Sequence, residues 1–179
     1  YVPSTVYRTA VGGAHVLRLV KAGKVGEKDP YVIDMYLMWA CRAGLDLPVI
    51  RGLAEKCGKW DIEMAAEYAA EGGHADVLDL LASEFGARIG VDCLTGAAES
   101  GRDAMIDHLV EQYGVDPNGV DEEGLTALHC AVSRGRVRTV KHLVEKHNVD
   151  IHQRSRDGMT ALELAEEKGM TECAAYLRG

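Results

Sequence analysis

Histidine and cysteine are the side chains in this chain best suited to chemistry, with seven histidines and five cysteines in 179 residues. His142, His147 and His152 follow one another at intervals of five. Two metal ligands on one helical face need a spacing of three or four, so this run argues against a metal site and none is expected. Cys41, Cys57, Cys93, Cys130 and Cys173 contain no C-x-x-C pair. Odd in number and spread along the chain, they read as free, buried thiols acting as small hydrophobes. That usage implies an intracellular, reducing compartment. The cytoplasm is the first expectation, with an organelle as the alternative if a targeting segment was removed ahead of Tyr1. Gly12-Gly13 and Gly23-Lys24-Val25-Gly26 lack the G-x-x-x-x-G-K-[ST] spacing that cradles phosphates. His129 has no recognisable nucleophile or carboxylate set around it. No catalytic residue is therefore named, no cofactor is expected, and the chain reads as noncatalytic.

What positions these residues is an internal repeat. Gly124-Leu125-Thr126-Ala127-Leu128-His129 returns as Gly158-Met159-Thr160-Ala161-Leu162-Glu163, and Thr126 to Thr160, Ala131 to Ala165 and Gly135 to Gly169 are each 34 residues apart. Further back, small-residue helices recur ahead of glycines: Leu37, Ala40 and Cys41 before Gly44; Ala65, Ala66, Ala69 and Ala70 before Gly73; Leu94, Ala97 and Ala98 before Gly101. Each glycine suits the left-handed residue that ends a helix. Between them run bulkier segments at helical spacing, such as Val77, Leu78, Leu80 and Leu81, or Val140, Leu143 and Val144. Helices this short do not hold alone in water, so the units must stack.

The unit G-x-T-A-L-H-x-A-x-x-x-G, with Asp116-Pro117-Asn118 ahead of it, resembles the ankyrin repeat, clearly from about Asp116 onward and in degenerate form before that. The tetratricopeptide pattern of Trp, Leu-Gly and Tyr is absent. The resemblance implies an all-α solenoid of stacked helix-turn-helix units, about five to six repeats, as a single domain over 1–179. Units would close near Gly12, Gly44, Gly73, Gly101, Gly135 and Gly169. It also implies a structural, turn-orienting role for His129 and a protein–protein interaction module or adaptor. The alternative is a permanent structural subunit of a large multiprotein complex.

Carried over by position, the resemblance nominates Val120, Glu122, Glu123, Leu125, Ser133 and Arg134 in the penultimate unit as partner contacts. In the last unit it nominates Arg154, Arg156, Asp157, Met159, Glu167 and Lys168. Leu125 and Met159 carry the most weight, because a turn tip is expected to offer no core to bury them. Glu71, Glu99 and Ser100 occupy the corresponding helix face in earlier units, where the other acidic side chains read as a solvated surface. Tyr31, Tyr36 and Trp39 leave two readings open: a plug for the first interface of the stack, or a docking patch for a larger assembly. A net charge of −8 repels the phosphate backbone, so no nucleic acid is expected. No apolar run approaches the roughly 18 residues of a membrane span, so no membrane insertion is expected either. The expected partner is protein.

Overall fold

The computed structural model describes residues 30–179, and Gly12, the first expected closing glycine, lies outside the described residues. Five alanine-rich helices run through this part: α1 (Pro30–Ala43), α3 (Lys59–Gly72), α5 (Val91–Ser100), α7 (Ala127–Ser133) and α9 (Ala161–Glu167). They stack in chain order, each against the next. Small contact sides make that possible: Ala65, Ala66, Ala69, Ala97, Ala98, Ala131 and Ala165 are wholly buried. Each is followed by a second helix that packs back on it, namely α2 (Leu47–Ala54), α4 (Ala75–Phe85), α6 (Asp103–Tyr113), α8 (Val137–His147) and α10 (Thr171–Arg178). The second helices supply bulk, including Ile50, Val77, Leu78, Leu81, Ile106, Leu109, Val140 and Leu143. One continuous apolar core results. Helices α7 and α9 have only seven residues each, too short to persist alone, so the neighbours on either side hold them in helical form.

Gly44, Gly73, Gly101, Gly135 and Gly169 all take positive φ between the two helices of a pair. Gly124, at φ 77°, is constrained twice, because a Cβ there would also stand 2.8 Å from the Cβ of Arg156 in the next turn. These turns are short fingers. Asp121 accepts the N–H groups of Glu123 and Leu125 on Oδ1, at 3.0 and 2.8 Å, and Val120 bridges to Thr126. One unit on, Arg154 bridges to Thr160 in the same way.

Polar contacts between units also recur with the repeat. Arg102 donates to the Glu71 carbonyl at 3.1 Å and Arg136 to the Glu99 carbonyl at 3.0 Å, each capping the C-terminal end of the preceding first helix. Asp79 accepts from His108 Nε2 at 2.8 Å and the Tyr113 hydroxyl at 2.7 Å. Asp107 repeats this clasp one unit later with His142 and His147. Burial pushes the Asp107 carboxyl upward, but hydrogen bonds from Lys146, His142 and His147 together hold it at about 2.

His129 ties two fingers together. Its Nε2 lies 3.0 Å from the Met159 carbonyl, which can only accept, so Nε2 carries the proton and Nδ1 accepts the Thr126 hydroxyl at 2.8 Å. Thr126 caps α7 by accepting the His129 N–H. In the last unit Glu163 takes the matching place and closes a capping box with Thr160. Burial pushes the His129 imidazole below its ordinary 6.5, so the unfolded chain takes up a proton more readily than the folded one. Stability is therefore present above pH 6.5 and falls as pH drops below it. His129→Gln should cost about 1–3 kcal/mol at neutral pH through the lost buried bonds and should flatten this acid limb, as read by thermal unfolding from pH 7.5 to 5. An unchanged acid limb would remove His129 as its source.

Candidate protein-binding face

The exposed sides of the first helices form a groove with the finger at residues 121–123. On α3, Ile62, Ala65, Ala66, Ala69 and Ala70 turn into the core. The opposite stripe, at helical spacing, carries Trp60, Glu63, Met64, Glu67 and Glu71. On α5 the matching stripe is Asp92, Thr95, Gly96 and Glu99. Gly96 brings the helices close, since a Cβ there would stand 3.1 Å from Glu71 Cγ. Two adjoining cavities of about 270 and 320 Å³ open along these stripes and share Trp60, Met64, Glu67, Asp92 and Glu122.

Carboxylates dominate the lining. Glu63, Glu67, Glu71, Asp92 and Glu99 come from the first helices, and Asp121, Glu122 and Glu123 from the finger; among the described residues Arg88 is the one cation lining either cavity. Arg42 pairs with Glu71 at 2.9 Å, and Arg134 pairs with Glu99. Burial, and then Asp92, Glu71, Glu122 and Glu63 around it, push Glu67 up to about 7. Glu71 is raised too, by burial, with Arg42 opposing. Trp60 lines both cavities with them, 68% exposed and the most exposed large hydrophobic residue among those described. The groove therefore offers half-buried negative charge beside an aromatic face, a combination suited to cations.

Of the nominated contacts, Glu122 and Glu123 line the groove. Val120 is exposed, as are Asp157, Glu167 and Lys168. Arg134 is engaged by Glu99, Arg154 by Gly158 and Glu163, and Arg156 by the Glu122 carbonyl. Ser133 is half-buried and bonds to the Cys130 carbonyl at 2.9 Å. Leu125 and Met159 depart from expectation. Both are half-buried, and Met159 packs against the core while its carbonyl holds His129. Stacking one finger on the next supplies the cover that a single finger lacks.

The aromatic cluster had two readings, a plug for the first interface and a docking patch. Tyr36 is 8% exposed and belongs to the core, as a plug would, while Trp39 is half-buried and packs against that core. The Tyr31 side chain lies outside those described. The cysteines are free, with Cys41, Cys93, Cys130 and Cys173 buried and Cys57 half-buried. Burial pushes the thiols of Cys41, Cys57, Cys93 and Cys130 up to about 12, which leaves them poor nucleophiles.

Stacked helix pairs joined by turn fingers, with no strand beyond isolated bridges among the described residues, define an all-α repeat scaffold. Residues 94–179 match the family model for ankyrin repeats, in 3 copies. Over those residues the chain carries ankyrin repeats, and such repeats are generally protein–protein interaction modules. No curated protein matches the chain. No helix among the described residues is long and apolar enough to cross a membrane.

Trp60 and Met64 drew no notice in the sequence, and Glu67 read as part of a solvated acidic face. Their signal was a second stripe on α3, offset from the alanines, that reads as ordinary solvated surface until α5 and the finger close over it.

Proposed function

We propose that the protein is a noncatalytic adaptor whose groove along α3, α5 and the 121–123 finger holds a basic segment of a partner protein. The observation that carries this reading is the exposed Trp60 indole lining the same cavities as the half-buried Glu67 carboxylate and the exposed Asp92. Lys or Arg side chains entering there relieve repulsion among the carboxylates and meet an aromatic face. Glu122 and Glu123 supply the polar rim, and Met64 gives apolar contact for the stem of the incoming side chain. The finger residues of the last unit extend the same edge.

A short peptide of alternating Arg and Ser tests this, followed by Trp60 fluorescence against a Trp60→Phe control, with the matching Glu-Ser peptide as a negative. A cation beside Glu67 lowers its carboxyl from about 7 toward the ordinary range, so binding releases a proton. Affinity should then rise about tenfold from pH 6 to pH 8, and Glu67→Gln should abolish that rise. Equal binding of the acidic peptide would sink the proposal. Material purified gently from native cells should run mostly as a monomer, with the partner substoichiometric. A stoichiometric high-mass assembly would instead mean a permanent subunit.

A further inference from the structure

We propose that Asp107, His142 and His147 form a zinc site between the second helices α6 and α8, away from the groove and independent of the reading given to it. Their ligand atoms all lie within 4.8 Å of one another. His142 Nε2 stands 2.7 Å and His147 Nε2 2.8 Å from the same oxygen, Asp107 Oδ1. The two rings meet edge to face with centroids 5.5 Å apart, so both nitrogens converge on one point. Two imidazoles and a carboxylate are a preferred zinc donor set, and ligand atoms around tetrahedral zinc stand roughly 3.3 Å apart. The two Nε2–Oδ1 separations need open by only about half an ångström to admit the ion.

The rest of the site fits an open zinc centre. Lys146 holds the other oxygen, Asp107 Oδ2, at 2.8 Å and reaches Glu111 at 3.0 Å, which orients Oδ1 toward the imidazoles. His147 is nearly buried, while His142 and Asp107 are about one-quarter exposed, which gives the ion a way in and leaves a position for water. When zinc binds, each Nε2 gives up its proton and Nδ1 takes one from solvent, so the imidazoles stay neutral. The five-residue spacing that argued against a metal is bridged because His147 ends α8 and the third ligand comes from the neighbouring unit.

The preceding unit provides an internal control. Asp79, His108 and Tyr113 make the same clasp with a phenol where His147 stands. A clasp alone is satisfied by tyrosine; a second imidazole turns it into a metal donor set.

Zinc titrated into the whole protein by calorimetry, with thermal unfolding in zinc and in EDTA, tests the site. One zinc per chain and a raised unfolding midpoint are expected. His147→Tyr rebuilds the clasp of the unit before it, so it should unfold near the wild-type midpoint in EDTA. It should lose at least the roughly 10–100-fold in zinc affinity that even second-shell changes cost. Asp107→Asn, which keeps an accepting oxygen for both rings, should lose as much and serves if His147→Tyr does not fold. No zinc-dependent shift in the wild type would overturn the assignment, as would zinc binding retained by a folded variant.

Discussion

Ala97→Leu should destabilise the protein by about 1–3 kcal/mol or more, the usual cost of forcing extra methylenes into a filled core. Ala97 is wholly buried on α5, between α3 and α7. Its neighbour Gly96 already sits so close to α3 that a single Cβ would crowd Glu71. A leucine at 97 must push α5 away from a neighbour. Because each unit leans on the next, a fault in the middle should also split the cooperativity of the stack. Urea unfolding should show a lower midpoint together with a shallower or two-step transition. Ala104→Leu, on the exposed side of α6, should stay within about 0.5 kcal/mol of wild type. Equal midpoints for the two variants would mean the alanine contacts do not set the spacing of the helices.

Reversing charge in the groove should separate binding from folding. Glu67→Lys with Asp92→Lys should weaken binding of the basic peptide by about 100-fold or more, because like charges facing each other across an interface cost several kcal/mol. The fold should not suffer. Glu71, Glu122 and Glu63 also raise Glu67, so a lysine at 67 meets carboxylates where the native chain sets one carboxylate against others, which offsets the repulsion between the two new lysines. Its thermal midpoint should match or exceed wild type. If binding and midpoint fell together, the stripe would be structural; if binding persisted, the groove would not be where the peptide lies.

Much of the architecture was legible in the sequence. Ala69, Ala97, Ala131 and Ala165 mark the helices that approach closely, and the glycines after them mark positions where only a left-handed residue ends the helix cheaply. Such signals are local: side-chain size and backbone φ belong to one position. The sites were less legible because they are products of stacking. Leu125 and Met159 looked exposed on a single finger and are half-covered by the array. Tyr36 could be read as plug or patch, and it lies in the core. Trp60 and Glu67 gain meaning from Asp92 and Glu122, far along the chain. His142 and His147 gain it from Asp107, brought to them by the pairing of α6 with α8.

Amide shift mapping of the protein titrated with the Arg-Ser peptide would locate the bound segment residue by residue. The account expects shifts along Trp60 to Glu71, Asp92 to Glu99 and the 121–123 finger, with the Trp60 indole among the largest. Shifts confined to the second helices, or to Arg154, Arg156 and Met159 without the groove, would contradict it.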